Sequence, residues 1–278
     1  MYEIIKKKQL SDEVFFMSIN APRIARKRKA GQFIILRSHE EGERIPLTIA
    51  GSDPEQGTLD IIFQAVGAST GEFAEMSEGD SFSDIVGPLG KPTEIQCYGT
   101  AVCVGGGIGT APILPIAKAL KEKGNTLYSI VGARTENLLI LTDEMEILSD
   151  KFFITTDDGS KGHKGFVTDI LRKLIEQENI DIVFAIGPPI MLKFLSGITK
   201  EYGIRTVVSL NAIMVDGTGM CGGCRVTVGD EVKFTCVDGP EFDGHSVDYD
   251  ELMKRLSMYK EYENNSARCR LKKEAEHG

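Results

Sequence analysis

The sequence predicts an antiparallel β-barrel, then a doubly wound parallel-sheet α/β domain, then a small cysteine-bearing C-terminal domain. Three observations predict this order. Short alternating or apolar runs, separated by Gly, Pro and Asp, recur to about residue 96, as in a small antiparallel barrel. From residue 101 to about 210, strand-like and helix-like runs alternate with short connections, the pattern of a parallel sheet with crossover helices. Beyond that, Cys221, Cys224 and Cys236 gather in a glycine-rich stretch. The expected domains are 1–97, 98–210 and 211–278.

The barrel strands are read at Val14–Ser18, Gln32–Arg37, Leu47–Ala50 and Leu59–Ala65. In the second part, Ala101–Val104 is an apolar strand. The turn Gly105-Gly106-Gly107-Ile108-Gly109-Thr110-Ala111-Pro112 follows, then a helix over Ile113–Lys123 with Gly124 as its stop. Further strands are read at Leu127–Val131, Phe152–Thr155, Ile182–Ile186 and Thr206–Leu210. Helices are read at Val167–Gln177 and from Pro189 to about Tyr202, and a charged helix over Tyr249–Tyr262.

Composition bounds the function. The chain has 278 residues, enough for cores of more than one domain, and a net charge of −9 from 32 basic and 41 acidic residues. That balance argues against nucleic acid or an anionic membrane as partner. No apolar run approaches the roughly 18 residues that span a bilayer. Met1–Lys8 carries charges with no apolar run behind it, so no signal peptide is expected and the cytoplasm is the expected compartment. Six cysteines in a chain of this length do not make a disulfide scaffold, and clustered thiols in a reducing compartment point to metal.

A Gly-rich turn between strand and helix lets backbone N–H groups approach a pyrophosphate. Gly105 and Gly107 fit the dinucleotide fingerprint, but Thr110 stands at its third glycine position; the bland reading is a tight strand–helix turn. No acid ends the second strand of this domain. Arg134 lies there instead, either for a 2′-phosphate or as a solvated loop residue. Asp157-Asp158-Gly159 and Gly187-Pro188-Pro189 end two strands at the carboxyl edge, where open α/β sheets bind ligands; each also reads as a plain turn. In the barrel, Arg44-Ile45-Pro46-Leu47-Thr48 could pair a phosphate and flank a flat ring, or form a surface hairpin.

The spacing Asp216-x4-Cys221-x2-Cys224-x11-Cys236 follows the plant-type [2Fe–2S] pattern, with a carboxylate in place of the first thiolate. Gly217, Gly219, Gly222 and Gly223 would let backbone amides reach the sulfurs. The rival is a zinc site of the three cysteines with His245 or Cys269. Cys97 and Cys103 read as core residues, and His39 and His163 as surface loop residues.

In this order the motifs resemble the ferredoxin–NADP reductase superfamily, and within it the electron-transfer subunits of type B dihydroorotate dehydrogenase, over residues 1 to about 250. The resemblance implies that Arg44, Pro46, Leu47 and Thr48 line FAD, with Thr48 near the reacting atom of the flavin as the one candidate catalytic residue. Phe63, Ala65, Gly67, Ser69 and Thr70 lie on the stretch implied to meet the FAD phosphate side. Gly105, Gly107, Ile108, Gly109, Thr110, Ala111, Pro112, Gly187 and Pro188 would hold NAD(H); Arg134, Asp157 and Asp158 stay candidates from their place at the sheet edge, and the resemblance does not fix Arg134 as a selector of NADP. Asp216, Cys221, Cys224 and Cys236 would hold the [2Fe–2S] cluster. The dihydroorotate subunits carry Cys where this chain has Asp216. In that feature it resembles the small subunits of NADH-dependent reduced ferredoxin:NADP oxidoreductases, whose expected partner is a larger flavin and [4Fe–4S] subunit in a heterodimer. The alternatives are the dihydroorotate role itself, and a nucleotide-binding regulator with structural zinc.

Overall fold

The computed structural model describes residues 2–260. The first seven strands are β1 (Tyr2–Gln9), β2 (Val14–Asn20), β3 (Phe33–Arg37), β4 (Ile45–Asp53), β5 (Thr58–Gln64), β6 (Ser81–Phe82) and β7 (Asp84–Leu89). Two helices interrupt them, α1 (Pro22–Ala25) and α2 (Ala68–Glu75). The strands form one sheet in the order β6-β1-β2-β5-β4-β3-β7. Only Ser83 separates the two edge strands, so the sheet curls until its ends meet and the barrel nearly closes. Period two decides what faces in. Met17 and Ile19 of β2, and Leu59, Ile61 and Phe63 of β5, are buried in one core with Ile34, Leu36 and Ile49. Phe63, Phe73 and Phe82 stack edge to face there, with ring centroids 5.9 and 5.0 Å apart; each buried ring contributes about 1.5–3 kcal/mol.

The α/β part comprises β8 (Thr100–Gly106), α3 (Thr110–Glu122), β9 (Thr126–Ala133), α4 (Thr142–Leu148), β10 (Lys151–Thr156), β11 (His163–Lys164), α5 (Val167–Gln177), β12 (Ile182–Ile186), α6 (Pro189–Glu201) and β13 (Arg205–Ser209). The C-terminal part adds a hairpin, β14 (Arg225–Val228) and β15 (Glu231–Phe234), then α7 (Thr235–Asp238), β16 (Glu241–Asp243) and α8 (Tyr249–Leu256). The second sheet runs β11-β10-β9-β8-β12-β13-β16. Its last strand comes from the cysteine-bearing part and pairs antiparallel to β13, Ser209 opposite Glu241. Both faces are covered. Val102, Val104, Val183 and Ala185 point to the side of α5 and α6. Ala101, Cys103, Ile182 and Phe184 point to the side of α3. Successive residues of a buried parallel strand thus go to opposite cores, which explains the continuous apolar runs in the sequence.

Two seams join the parts. Val14 and Ile62 of the barrel pack with Ala111 and Ile140 of the α/β part. Phe33 and Ile35 of β3 share a core with Met214, Cys224 and Cys236. Several expectations need correction. Strand β1 and helix α4 were not foreseen in the sequence pattern. The last helix ends at Leu256, not Tyr262; residues past 260 lie outside the described ones. Cys103 is in the core as expected, but Cys97 is exposed, because the segment before β8 runs along the surface without strand pairing.

Candidate functional site

The carboxyl edge of the parallel sheet assembles the first group of residues. Strand β8 ends at Gly106 and a single 3-10 turn, Gly107–Gly109, leads into α3. Gly107 takes φ +56°, and no atom lies within 4 Å of where its Cβ would be. A left-handed residue facing open space is what a close backbone approach to a ligand requires. At Gly109 a Cβ would lie 2.3 Å from the Ile186 carbonyl oxygen, so the turn presses against the end of β12. A Cβ on Gly106 would meet Met191 Sδ at 2.5 Å and Pro188 Cδ at 3.3 Å. The Gly187–Pro188 segment therefore abuts the Gly-rich turn, and two motifs far apart in sequence form one edge. Asp157 and Asp158 are exposed at the same edge, where the Asp158 N–H donates to the Arg134 carbonyl at 3.3 Å. Serine amide and hydroxyl groups of Ser160 hold the Asp158 carboxyl below its ordinary value.

Not every residue expected there lines the edge. Thr110 and Ala111 are 0% and 1% exposed; Ala111 packs in the seam with the barrel, and Thr110 Oγ1 is buried without a hydrogen-bond partner. Gly105 and Gly109 are likewise buried, leaving Gly107, Ile108 and Pro112 as the accessible part of the turn.

On the barrel, Arg44 lies just before β4 and Pro46, Leu47 and Thr48 lie on it, all partly exposed. Pro46 is opposite Ile35, and Thr48 opposite Phe33. Arg44 pairs with Asp84 at 3.5 Å, yet its Nε is buried with no partner. An unsatisfied guanidinium N–H just before β4 fits an anionic group. Helix α2 begins nearby. The Thr70 hydroxyl accepts the Gly67 N–H at 3.1 Å, and Ser69 Oγ donates to Glu43. The first N–H groups of a helix have no intrahelical partner and favour phosphate oxygens. Ala65, Gly67 and Thr70 are partly exposed, whereas Phe63 is 1% exposed within the barrel core. Phe63 is thus a packing residue; period two on β5 sends it inward.

The third group is the loop after β13. Gly217, Gly219 and Gly222 all take left-handed backbone, with φ of +73°, +89° and +67°. Asp216, Cys221 and Cys224 of this loop and Cys236 of α7 gather as two pairs. Cys224 Sγ lies 3.2 Å from Cys236 Sγ. Asp216 interacts with the Cys221 thiol, the largest of the effects that hold its carboxyl well below the usual range, ahead of Thr218 and the Met220 amide. Asp216 Oδ2 accepts Thr218 Oγ1 at 2.6 Å and the Met220 N–H at 3.1 Å, while Oδ1 is buried without a hydrogen-bond partner. Backbone amides address the sulfurs: Gly223 N–H to Cys221 Sγ at 3.4 Å, and Cys236 N–H to Cys224 Sγ at 3.5 Å. Burial, and then Cys224, push the Cys236 thiol up to about 12. A buried thiol pair with amide donors and an orphaned carboxylate oxygen fits anionic ligation of metal.

Among the described residues, no three of the His, Cys, Asp and Glu side chains converge as around one metal ion. Two pairs suit two metal atoms better than one. His245 is not part of the group: its Nε2 lies 2.9 Å from Thr199 Oγ1 on α6, and Cys269 lies outside the described residues. The zinc alternative is therefore unsupported through His245. His39 pairs with Glu72 on the surface, and His163 lies in the short strand β11.

The cysteine loop and the barrel motif are neighbours. A Cβ on Gly217 would lie 2.9 Å from Ile35 Cγ1 and 3.0 Å from Leu89 Cδ1, and Ile35 is the strand partner of Pro46. Sequence reading missed several supporting groups. Glu43 and Asp84 hold Ser69 and Arg44. Arg225 Nη1 donates to the Gly222 carbonyl at 3.2 Å, and Arg255 Nη2, from α8, donates to the Gly223 carbonyl at 2.9 Å. All four are charged residues whose position in sequence carries no motif. A cavity of about 350 Å³ lined by Arg205, Thr206, Asp243 and His245 contains none of the motif residues; it opens near the start of β13, away from the carboxyl edge.

Comparison with known proteins agrees with this arrangement. Residues 211–248 match the iron-sulfur cluster binding domain of dihydroorotate dehydrogenase B, and residues 103–197 match an oxidoreductase NAD-binding domain. The chain is 51% identical over 264 residues to a Thermotoga maritima protein described as a dihydroorotate dehydrogenase B (NAD(+)) electron transfer subunit homolog, covering 95% of this chain and 93% of that one. It is 33% identical over 224 residues to the corresponding electron transfer subunit of Clostridium perfringens, covering 80% and 88%. A solved structure of an NADH-dependent reduced ferredoxin-NADP oxidoreductase, studied for flavin-based electron bifurcation, superimposes with a TM-score of 0.93 at 49% identity over 98% of both chains. Phthalate dioxygenase reductase shares the fold at 16% identity, with a TM-score of 0.61 over 82% and 85%.

Proposed function

The chain belongs to the family of dihydroorotate dehydrogenase B-type electron-transfer subunits, and from that premise we propose that it is the small, electron-transferring subunit of an NADH-dependent reduced ferredoxin:NADP oxidoreductase. It is an oxidoreductase subunit that works with FAD, NAD(H) and an iron–sulfur cluster of the [2Fe–2S] type. One observation carries this reading: the cysteine loop packs through Gly217 on Ile35 of β3, the strand paired with β4, which carries Pro46–Thr48 with Arg44 just before it.

The donor sets fit the three groups. Arg44, with its unsatisfied Nε, and the start of α2 would hold the flavin diphosphate; Pro46, Leu47 and Thr48 would flank its ring. Gly107, Ile108, Pro112, Gly187 and Pro188 would hold the dinucleotide, with Arg134, Asp157 and Asp158 toward its far end. Asp216 with Cys221, and Cys224 with Cys236, would each take one metal atom. Flavin bound between nicotinamide and cluster supplies the conversion of a two-electron hydride into single electrons. The protein's own task is to position these groups and exclude water. Hydride transfer asks no side chain for a proton, so Thr48 is proposed as a contact to the flavin and not as an acid or base. We assign the chain's redox partner as a larger flavin and [4Fe–4S] subunit in a heterodimer.

A second reading, service to dihydroorotate oxidation, is favoured by the match of residues 211–248. Anaerobic co-purification decides between them. The proposed function expects flavin, about two irons per chain, reduction by NADH, and a larger iron–sulfur flavoprotein as companion. A dihydroorotate-oxidising companion would establish the second reading. A colourless protein with zinc would refute both.

A further inference from the structure

We propose that Arg225 tunes the electron affinity of the metal centre held by Cys221, and does so through a single peptide group. The inference rests on the reading of Cys221 as a metal ligand. Arg225 Nη1 donates to the Gly222 carbonyl at 3.2 Å. The Gly223 N–H donates to Cys221 Sγ at 3.4 Å. That carbonyl and that N–H belong to one amide, the bond joining Gly222 to Gly223. The guanidinium and the ligand sulfur therefore sit at the two poles of the same peptide dipole.

The consequence is chemical. A cation on the oxygen of an amide draws electron density from its nitrogen and makes the N–H a stronger donor. Hydrogen bonds in series polarise one another in this way. Hydrogen bonds to ligand sulfurs are among the features that set the potential of iron–sulfur centres. A stronger N–H donor stabilises the negative charge that reduction adds, so Arg225 favours the reduced form.

Local structure places the two groups together. Arg225 opens β14, where it is held opposite Phe234. Gly222 takes φ +67°, which turns its carbonyl back toward the side chain that follows. Arg255 offers a natural comparison. It donates at 2.9 Å to the Gly223 carbonyl, which belongs to the next amide along. The charge is the same and Arg255 is the less exposed of the two, but the amide it polarises is not the one bonded to Cys221. Arg225 is also exposed, so its through-space field is screened by salt, whereas polarisation through the bonded amide is not.

The test is an EPR-monitored redox titration of the intact protein with its partner, using dithionite, whose SO2 radical anion gives one electron to the centre and ends as sulfite. The variants are Arg225→Gln, Arg225→Lys and Arg255→Gln, each compared at equal iron content. At a fixed potential near the wild-type midpoint, Arg225→Gln is expected to lower the ratio of reduced to oxidised centre about three- to tenfold, tenfold being 59 mV. The effect persists at high salt, Arg225→Lys recovers most of it, and Arg255→Gln moves the ratio less. An unchanged ratio in Arg225→Gln overturns the proposal. So does a shift that Arg255→Gln equals and salt abolishes, since that is a simple field effect. Wild-type protein without iron or an EPR signal refutes the assignment of the ligands themselves, a separate failure.

Discussion

The Glu43 carboxylate accepts the hydrogen bond of the Ser69 hydroxyl at the start of helix α2. Beside it, Arg44 is paired with Asp84 at 3.5 Å. Both groups suited to a flavin diphosphate are thus engaged by carboxylates of the chain itself. The barrel carries internal negative charge at the place proposed for the flavin diphosphate, so on that proposal flavin and Glu43 would compete for one hydroxyl.

Neutralising Glu43 should therefore tighten flavin binding. Glu43→Gln is expected to lower the Kd for FAD about tenfold, or about 1.4 kcal/mol, as read by quenching of flavin fluorescence on the apoprotein. Weaker binding in the variant would mean that Glu43 holds the flavin directly.

Asp216 keeps its charge because Cys221, Thr218 and the Met220 amide stabilise the carboxylate. Asp216→Ala removes one anionic donor from a pair and should leave at most half the iron of wild type after anaerobic purification. Asp216→Cys should retain iron with altered g-values. Identical EPR spectra for wild type and Asp216→Cys would place the carboxylate outside the metal's coordination.

The Glu241 carboxyl lies at the junction of all three parts, accepting Thr93 Oγ1 at 2.6 Å. Burial pushes it up from 4.5 to about 7, and the Thr93 hydrogen bond only partly opposes this. The unfolded chain releases this proton near 4.5 while the folded protein keeps it to about 7. Its contribution is complete below the unfolded value and is lost as pH rises through the folded one, at most about 3 kcal/mol in all. Glu241→Gln should remove that slope and raise the urea midpoint at pH 8 relative to wild type. A variant with the same pH slope as wild type would assign the slope to other groups.

The open space beside Gly107 sets the last prediction. A side chain there projects into the groove and also strains a left-handed residue. Gly107→Val is expected to raise the Kd for NADH tenfold or more, about 1.4 kcal/mol, with FAD content unchanged. Equal NADH affinity would remove the turn from the dinucleotide site.

Much of this was legible in the sequence because period and punctuation are local. Leu59–Ala65 alternates, Ala101–Val104 does not, and the difference separates a barrel strand from a strand buried on both faces. The cysteine spacing singles out its candidate donors without any fold. Strand β1 escaped because only Ile4 of Tyr2–Gln9 is buried and a run of lysines hides the alternation. Phe63 lay within a matching motif, but its burial in the barrel core depends on neighbours that pattern does not contain. Glu43, Asp84, Arg225 and Glu241 are charged residues like any on a surface. Their partners lie 26, 40, 3 and 148 positions away, and all but the Arg225 contact depend on tertiary folding.

Strand β16 bears on how such a chain can be taken apart. Its three residues supply the hydrogen-bond partners of β13 at the border of the nucleotide sheet. The cysteine-bearing part is therefore no detachable module. A chain cut after residue 210 would present β13 as a bare template for other strands, and fragments of that kind should self-associate. Fusion or swapping of the metal-binding part succeeds only if the recipient brings an equivalent cap for that border.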